Sequence, residues 1–368
     1  MKYIVKLMLI LIFSLSLTSC DFKDIDRRTF VVALGIDSGE QQKQMKVIIK
    51  TAIPTSIGGR SGGNENQKNY QLFTVETDSI GDALRKFKAE SSLEPDFSHL
   101  KIIIFGKNFA QETPIDPIID YFIRRRDLQT IAWTTVGFPS AKKILELQPP
   151  SEKIASNSLF LKFGQGVKSQ YIQRVKVYET YRDLITPGLS PCCPIIEIVD
   201  NEFSINKIAV FEQGKMKMVL SPEETRIFNI IKPHIKTFFF KMEHEKNSHP
   251  IGFNIKNAKT DIRLIKNKDN SIDCQVNVKL VGAVEETDYK ENNLFELHKQ
   301  LEVLAKGQIE ALFNKFKQSR VDPFSIQARY WAIDPSYEFT EDWLKKIFSK
   351  INFIVNVDAK INESGSLR

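Results

Sequence analysis

Glu243-His244-Glu245 and His249 are the chain's nearest approach to a metal cluster. Zinc proteases set two histidines four residues apart on a helix, so that both imidazoles face one way. Here the spacing is five, and Asn247, Ser248 and Pro250 predict a loop. Gly164-Gln165-Gly166 lacks the third glycine and the preceding strand of a dinucleotide-binding turn. Gly58, Gly59, Gly62 and Gly63 lie in a polar loop from Ile57 to Lys68, with no Gly-Lys-Ser/Thr opening a helix to cradle phosphate. No Gly-x-Ser-x-Gly turn presents a nucleophile, and His99, Glu197 and Asp273 stand alone. Arg124-Arg125-Arg126-Asp127 is the sharpest charge cluster. The simpler reading is a solvated helix end, where cations complement the dipole; the other is a contact for anionic lipid or a partner. These patterns predict no enzyme, no cofactor and no metal.

The residue whose chemistry is best defined is Cys20. Lys2 and Lys6 form a positive leader, and Leu7 to Leu17 is almost wholly apolar. That run fits a signal core and is well short of the roughly 20 residues a spanning helix needs. Leu17-Thr18-Ser19-Cys20 then resembles a bacterial lipobox. In such signals the thiol takes a diacylglycerol, the peptidase cuts before the cysteine, and the lipid replaces the apolar helix as anchor. Small residues let the chain lie extended in the peptidase. Two or more acyl chains hold a protein stably where one holds it only marginally. Residues 1–19 are therefore expected to be a signal peptide and 20–28 a lipidated tether. An ordinary secretory signal and an N-terminal transmembrane anchor are the alternatives.

The body beyond Cys20 is 42% hydrophobic, 10% aromatic and 26% charged over the whole sequence, ordinary for a globular protein of about two domains. Loss of Lys2 and Lys6 with the leader takes two from the net charge of +7, leaving +5. A modest positive charge suits a protein held near anionic headgroups. Export and the lack of any basic-aromatic recognition pattern argue against nucleic acid. Cys192, Cys193 and Cys274 do not make a disulfide framework, since adjacent cysteines rarely bridge. They are expected to be unbridged and partly buried.

The elements that must position these residues follow from periodicity. Phe30 to Asp37 reads as a buried strand, followed by strands near Met45 to Ile53 and Tyr70 to Val75. Asp78 is expected to cap a helix carrying Ile80, Ala83, Leu84 and Phe87. Lys101 to Phe105 and Thr130 to Gly137 read as strands, Ile115 to Ile123 and Ser140 to Leu147 as helices, and Leu159 to Leu184 as predominantly helical. This alternation predicts a mixed α/β N-terminal domain over 29–195. A hairpin about Gln213-Gly214, a capping box at Ser221-Pro222-Glu223-Glu224, and β segments over 250–265 and 272–284 come next. A long amphipathic helix follows over 293–316, then a helix capped by Thr340 and a strand from Ile351. These define a C-terminal α+β domain over 203–366, so the whole chain is expected to be multi-domain α+β.

Several stretches together resemble the Ger(x)C family, the lipoprotein C subunit of spore nutrient-germinant receptors. Phe30-Val31-Val32-Ala33-Leu34-Gly35-Ile36-Asp37 is similar to its opening strand. Ser98-His99-Leu100-Lys101 leading to Gly106-Lys107 resembles its histidine-containing strand, and Ile118 to Asp127 the helix with an Arg-Asp pair. Val321-Asp322-Pro323-Phe324, Trp343 and the strand from Ile351 towards Gly365 resemble its C-terminal region. The likeness runs from Cys20 to about Gly365. The family commonly has glycine before the lipidated cysteine and tryptophan after it, where this chain has Ser19 and Asp21. The resemblance implies several mixed domains of unusual fold, no catalytic residues, and acylation at Cys20. It also implies a place on the outer face of the spore's inner membrane, beside membrane-spanning A and B subunits. The rival readings are a substrate-binding lipoprotein of an ABC transporter, which needs two comparable βαβ lobes about a hinge, and a lipid-anchored hydrolase.

The lipobox predicts that Cys20→Ala leaves a folded protein without stable membrane attachment. Fractionation after a salt wash checks this; the variant should move to the soluble fraction.

Overall fold

In a computed structural model the described residues are 2–4, 6, 27–41, 44–53, 69–149, 157–164, 169–232, 237–243, 250–286, 294–334, 336–337 and 342–362. The architecture is α+β, as expected, built on two sheets. Strands β1 (Arg28–Ser38), β5 (Ile102–Gly106), β6 (Trp133–Gly137) and β7 (Cys192–Val199) run parallel at the centre of the first sheet. Antiparallel strands extend it on both sides: β2 (Met45–Ala52) and β3 (Tyr70–Thr77) beyond β1, β8 (Glu202–Glu212) and β9 (Lys215–Leu220) beyond β7. A short strand β4 (Glu94–Asp96) pairs with the start of β1. The central strands are apolar on both faces, as a strand covered on both sides must be. Ile103 and Phe105 enter one core, with helices α1 (Ile80–Glu90), α2 (Lys107–Glu112) and α3 (Asp116–Arg124). Ile102 and Ile104 enter another, with α4 (Ala141–Glu146) and α5 (Asn157–Phe163).

Helix α4 lies unusually close to the sheet. A Cβ at Gly35 would meet the Leu145 side chain at 2.8 Å. Two residues on, Asp37 reaches the helix start and accepts the Ala141 N–H at 2.8 Å and the Lys142 N–H at 2.9 Å. A Cβ at Gly106 would fall 1.8 Å from that carboxylate. The Gly-Ile-Asp motif thus docks and caps one helix. Ser140 adds the local cap expected from sequence, accepting from the Lys143 amide at 3.2 Å.

Helix α6 (Val177–Ile185) joins the first core, and helix α7 (Pro222–Ile231) opens the second. The capping box at α7 forms as predicted: the Ser221 amide donates to Glu224 at 2.8 Å, and the Glu224 amide to Ser221 Oγ at 3.2 Å. The second sheet has the order β10 (Phe238–Met242), β11 (Ile251–Lys266), β12 (Ile272–Glu286), β13 (Asn352–Asn362). Helix α8 (Leu294–Ser319) covers one face with Leu297, Leu301, Leu312 and Phe316. Side chains of α8 also bond the backbone of β13, which pairs on one side only. Glu302 accepts the Ala359 N–H at 2.9 Å and His298 Nε2 lies 3.1 Å from the Ile361 amide, while Lys317 donates at 2.8 Å to the Ile351 carbonyl just before the strand. Helices α9 (Ile326–Ile333) and α10 (Trp343–Lys346) complete the body. Nine strands and four strands of different order are not two comparable βαβ lobes.

The hairpin β8–β9 continues the first sheet by pairing with β7, while Ile208, Val210 and Leu220 on it enter the core built on the second sheet. Three expectations change. The stretch Leu159 to Leu184 is not one helix: 170–171 form a turn and 172–175 are irregular, where Gln170 accepts the Phe239 amide at 2.6 Å and the Asn229 side chain at 2.8 Å. At α1 the N-cap is Ser79, and Asp78 lies one residue before it. Thr77 Oγ1 accepts the Ser79 amide there and bonds Asp82 at 2.9 Å. Helix α10 is preceded by Asp342; Thr340 lies outside the described residues.

A carboxylate that caps two amides at a helix N-terminus contributes about 1–2 kcal/mol. Asp37→Ala should lower unfolding free energy by that amount in urea titrations. Gly106→Ala should also destabilise, and the double variant should lose less than the two single losses together, since both act through one contact.

Candidate functional site

Cys20 lies outside the described residues, and the body begins near Arg28, where β1 pairs with β4. Around that point the family-like motifs come together. Asp96 accepts from Arg28 at 2.7 Å and from the Ser98 amide at 2.8 Å. Partial burial opposes its ionisation, yet Ser98 and the Arg28 guanidinium hold its carboxyl down at about 2. His99 stacks edge-on against Phe30 with ring centroids 4.7 Å apart, and its Nδ1 lies 3.0 Å from Ser98 Oγ. The Ser98 hydroxyl also donates to Asp96 Oδ1 at 2.5 Å, so its proton is directed to the carboxylate and not to the imidazole.

The arginine cluster caps α3 on the same side of the sheet. Arg124 bonds Asp120 at 2.6 Å, one helical turn back. Arg125 forks onto Asp127, donates to the Tyr121 hydroxyl at 2.9 Å and lies over the Phe97 ring. The Arg-Asp pair therefore folds the chain back at the helix end, as the simpler reading expects. Arg126 is exposed.

A second constellation, not foreseen from sequence, joins the two cores. Ser190 Oγ donates to Glu212 at 2.6 Å and accepts the Asp322 amide at 2.8 Å. Asp322 is 1% exposed and accepts the amides of Phe324 at 3.3 Å and Gln327 at 2.8 Å, capping α9. A half-open cleft of about 320 Å³ beside these groups is lined by Gly188, Ser190, Glu212, Asp322 and Gln327. Burial pushes Asp322 up to about 7 against its three amide donors, and burial likewise raises Glu212. The sequence signal was there in Val321-Asp322-Pro323-Phe324, but nothing local says that its partner is Ser190, 132 residues earlier.

The remaining candidates are structural. Glu197 pairs with Lys207, and Asp273 accepts from Asn267 and Asn352. Glu243 pairs with Lys241 at 3.2 Å, while His244, Glu245 and His249 lie outside the described residues, as do Gln165, Gly166 and the 57–68 loop apart from its neighbours. Among the described residues no three His, Cys, Asp or Glu side chains gather as metal ligands. Cys192, Cys193 and Cys274 are unbridged and buried; burial pushes Cys192 and Cys274 up to about 12 and raises Cys193 as well, which keeps the thiols protonated and unreactive.

With this geometry in place, comparison with known proteins is decisive. The model described as spore germination protein N-terminal domain matches residues 21–198, and that described as spore germination B3/GerAC like, C-terminal, matches residues 206–365. The chain belongs to the Ger(x)C family of spore germination proteins. It is 24% identical to spore germination protein B3 of Bacillus subtilis (strain 168), over 96% of each chain. It is 19% identical to spore germination protein KC of the same strain, over 94% of this chain and 91% of that one. Its fold is similar to the crystal structure of the GerBC protein, with a TM-score of 0.58 at 16% identity, over 93% of this chain and 99% of that one. The family's two segments meet between β7 and β8, inside a continuous sheet. Among the described residues no helix is long and apolar enough to cross a membrane.

The Asp322 carboxyl gives a pH dependence with a definite sign. Its folded value lies above the ordinary 3.8, so between the two the folded state holds the extra proton. Stability is then greatest at acid pH and falls as pH rises to about 7. Thermal denaturation should show a lower melting temperature at about pH 8 than at about pH 5, and Asp322→Asn should shrink that difference.

Proposed function

We propose that this chain is a non-enzymatic subunit of a spore nutrient receptor, held by a diacylglycerol on Cys20 to the outer face of the spore's inner membrane. It acts there with two membrane-spanning partners, an A and a B subunit, to trigger germination. The observation that carries this reading is the end-to-end match to germination proteins: two family segments cover the body from Asp21 to Gly365, directly after the lipobox cysteine. The geometry agrees with it. The polar residues of the family-like motifs described above are spent on holding elements together: Asp37 and Asp322 cap helices, Arg125 forks onto Asp127, and His99 packs on Phe30. A subunit without chemistry of its own acts through surfaces. Tethering confines those surfaces near membrane partners and raises their effective concentration, so even a weak interface stays occupied.

Deletion of the gene should abolish the response of dormant spores to the nutrients of its own receptor, while agents that bypass receptors still act. A Cys20→Ala strain should show the same defect more mildly, because untethered protein still finds its partners by diffusion. Germination followed across a broad nutrient panel checks both. Normal responses throughout, with the protein absent from spores but abundant in growing cells, would show that the reading is wrong.

A further inference from the structure

The end of the first sheet at which β1 begins is unlike its other end. Cys20 lies eight residues before Arg28, so an extended tether spans at most about 28 Å from lipid to β1. Whatever this end of the sheet displays is therefore held close to a bilayer. It displays exposed apolar side chains. Leu93 stands just before β4, which pairs with Arg28 to Phe30. Ile131, 58% exposed, stands just before β6. Tyr178 lies beside it, its amide bonded to the Thr130 carbonyl. Leu161 on α5 follows Phe160, whose ring carries Lys101 from the start of β5. Val199, exposed where β7 ends, lies at the opposite end.

Arg85, Lys88 and Arg126 are exposed on the β4 side, Arg85 and Lys88 along a groove that Glu94 and Asp127 also line, and among the described residues no carboxylate lies within ion-pair distance of Arg85 or Arg126. Scattered apolar side chains, an interfacial tyrosine and long cations whose stems bury while their heads stay wet are what a lipid interface takes.

We propose that this end of the first sheet, bearing Leu93, Ile131, Tyr178, Arg85, Lys88 and Arg126, docks on an anionic phospholipid surface. The idea rests on the lipid-anchored reading for why this end meets a membrane. The face orients a body that the lipid alone would leave free to swivel.

The test uses the chain from Asp21 onwards, which lacks acylation and loses no described core residue, since the cores begin at Val31. It should co-float with vesicles of equal parts phosphatidylglycerol and phosphatidylcholine, and the binding should fade at high salt as screening shortens the reach of the charges. Pure phosphatidylcholine should bind it much less. Arg85→Glu with Lys88→Glu and Arg126→Glu should weaken binding at least about tenfold, since each basic residue near an anionic surface is worth roughly a fivefold change. Ile131→Ser with Tyr178→Ser should weaken it too, and Lys142→Glu with Lys143→Glu, at the far end, should not. Melting curves confirm that each variant is folded. Equal binding to neutral and anionic vesicles, or equal loss in the far-end variant, overturns the proposal. Unchanged vesicle binding in the Arg85, Lys88 and Arg126 variant with loss of germination assigns the face to a protein partner and also overturns it. Failure of the anchor reading shows separately, as the full-length Cys20→Ala variant remaining in the membrane fraction after a high-salt wash that releases the docking face.

Discussion

Neighbouring residues of a strand point to opposite faces, and the assembly of this molecule depends on that alternation at β7 to β9. Cys193 faces the core of the first sheet, and Cys192 faces the core built on the second. Ala209 and Phe211 follow Cys193, while Ile208 and Val210 follow Cys192. One set of strands therefore supplies a wall to two cores, and the halves of the chain share structure where a linker might be expected. This also explains why two adjacent cysteines remain unbridged: their side chains enter different interiors.

Two carboxylates, one half-buried and one buried, secure what the alternation leaves open. Asp37 and Asp322 each sit at the start of a short helix and receive its free amides. Helices of six and eight residues are too short to persist alone, so their position is set by the acid that receives them. Glycine makes room in both places. Gly106 leaves space for Asp37, and Gly188, at a φ of 72°, passes close to Gln327 where a side chain would collide. The conformation is also one that glycine adopts without penalty.

Much of this was legible beforehand wherever the signal is local. The buried run from Phe30, the Ser221 capping box and the apolar stripe of α8 all state their structure within a few turns. What escaped reading depends on distant partners. Gln170 holds its segment out of a helix by bonding residues on α7 and β10, against a sequence with helical spacing. Helix α9 begins at Ser325 with a φ of 56° and no cap of its own, because Asp322 does that work. The joining of Ser190 to Asp322 spans more than a third of the chain and leaves no periodic trace.

The side chains that bond the outer edge of β13 bear on how copies of the molecule share a crowded surface. An eleven-residue strand paired on one side is a template for another chain, and confinement to a plane multiplies encounters between identical edges. His298 and Glu302 occupy backbone groups that a neighbour's strand would need. Under the anchoring proposed above, copies pack densely side by side without zipping into a continuous sheet. Any ordered clustering must then be built through side-chain surfaces, which can be specific and reversible, and not through backbone pairing, which is neither.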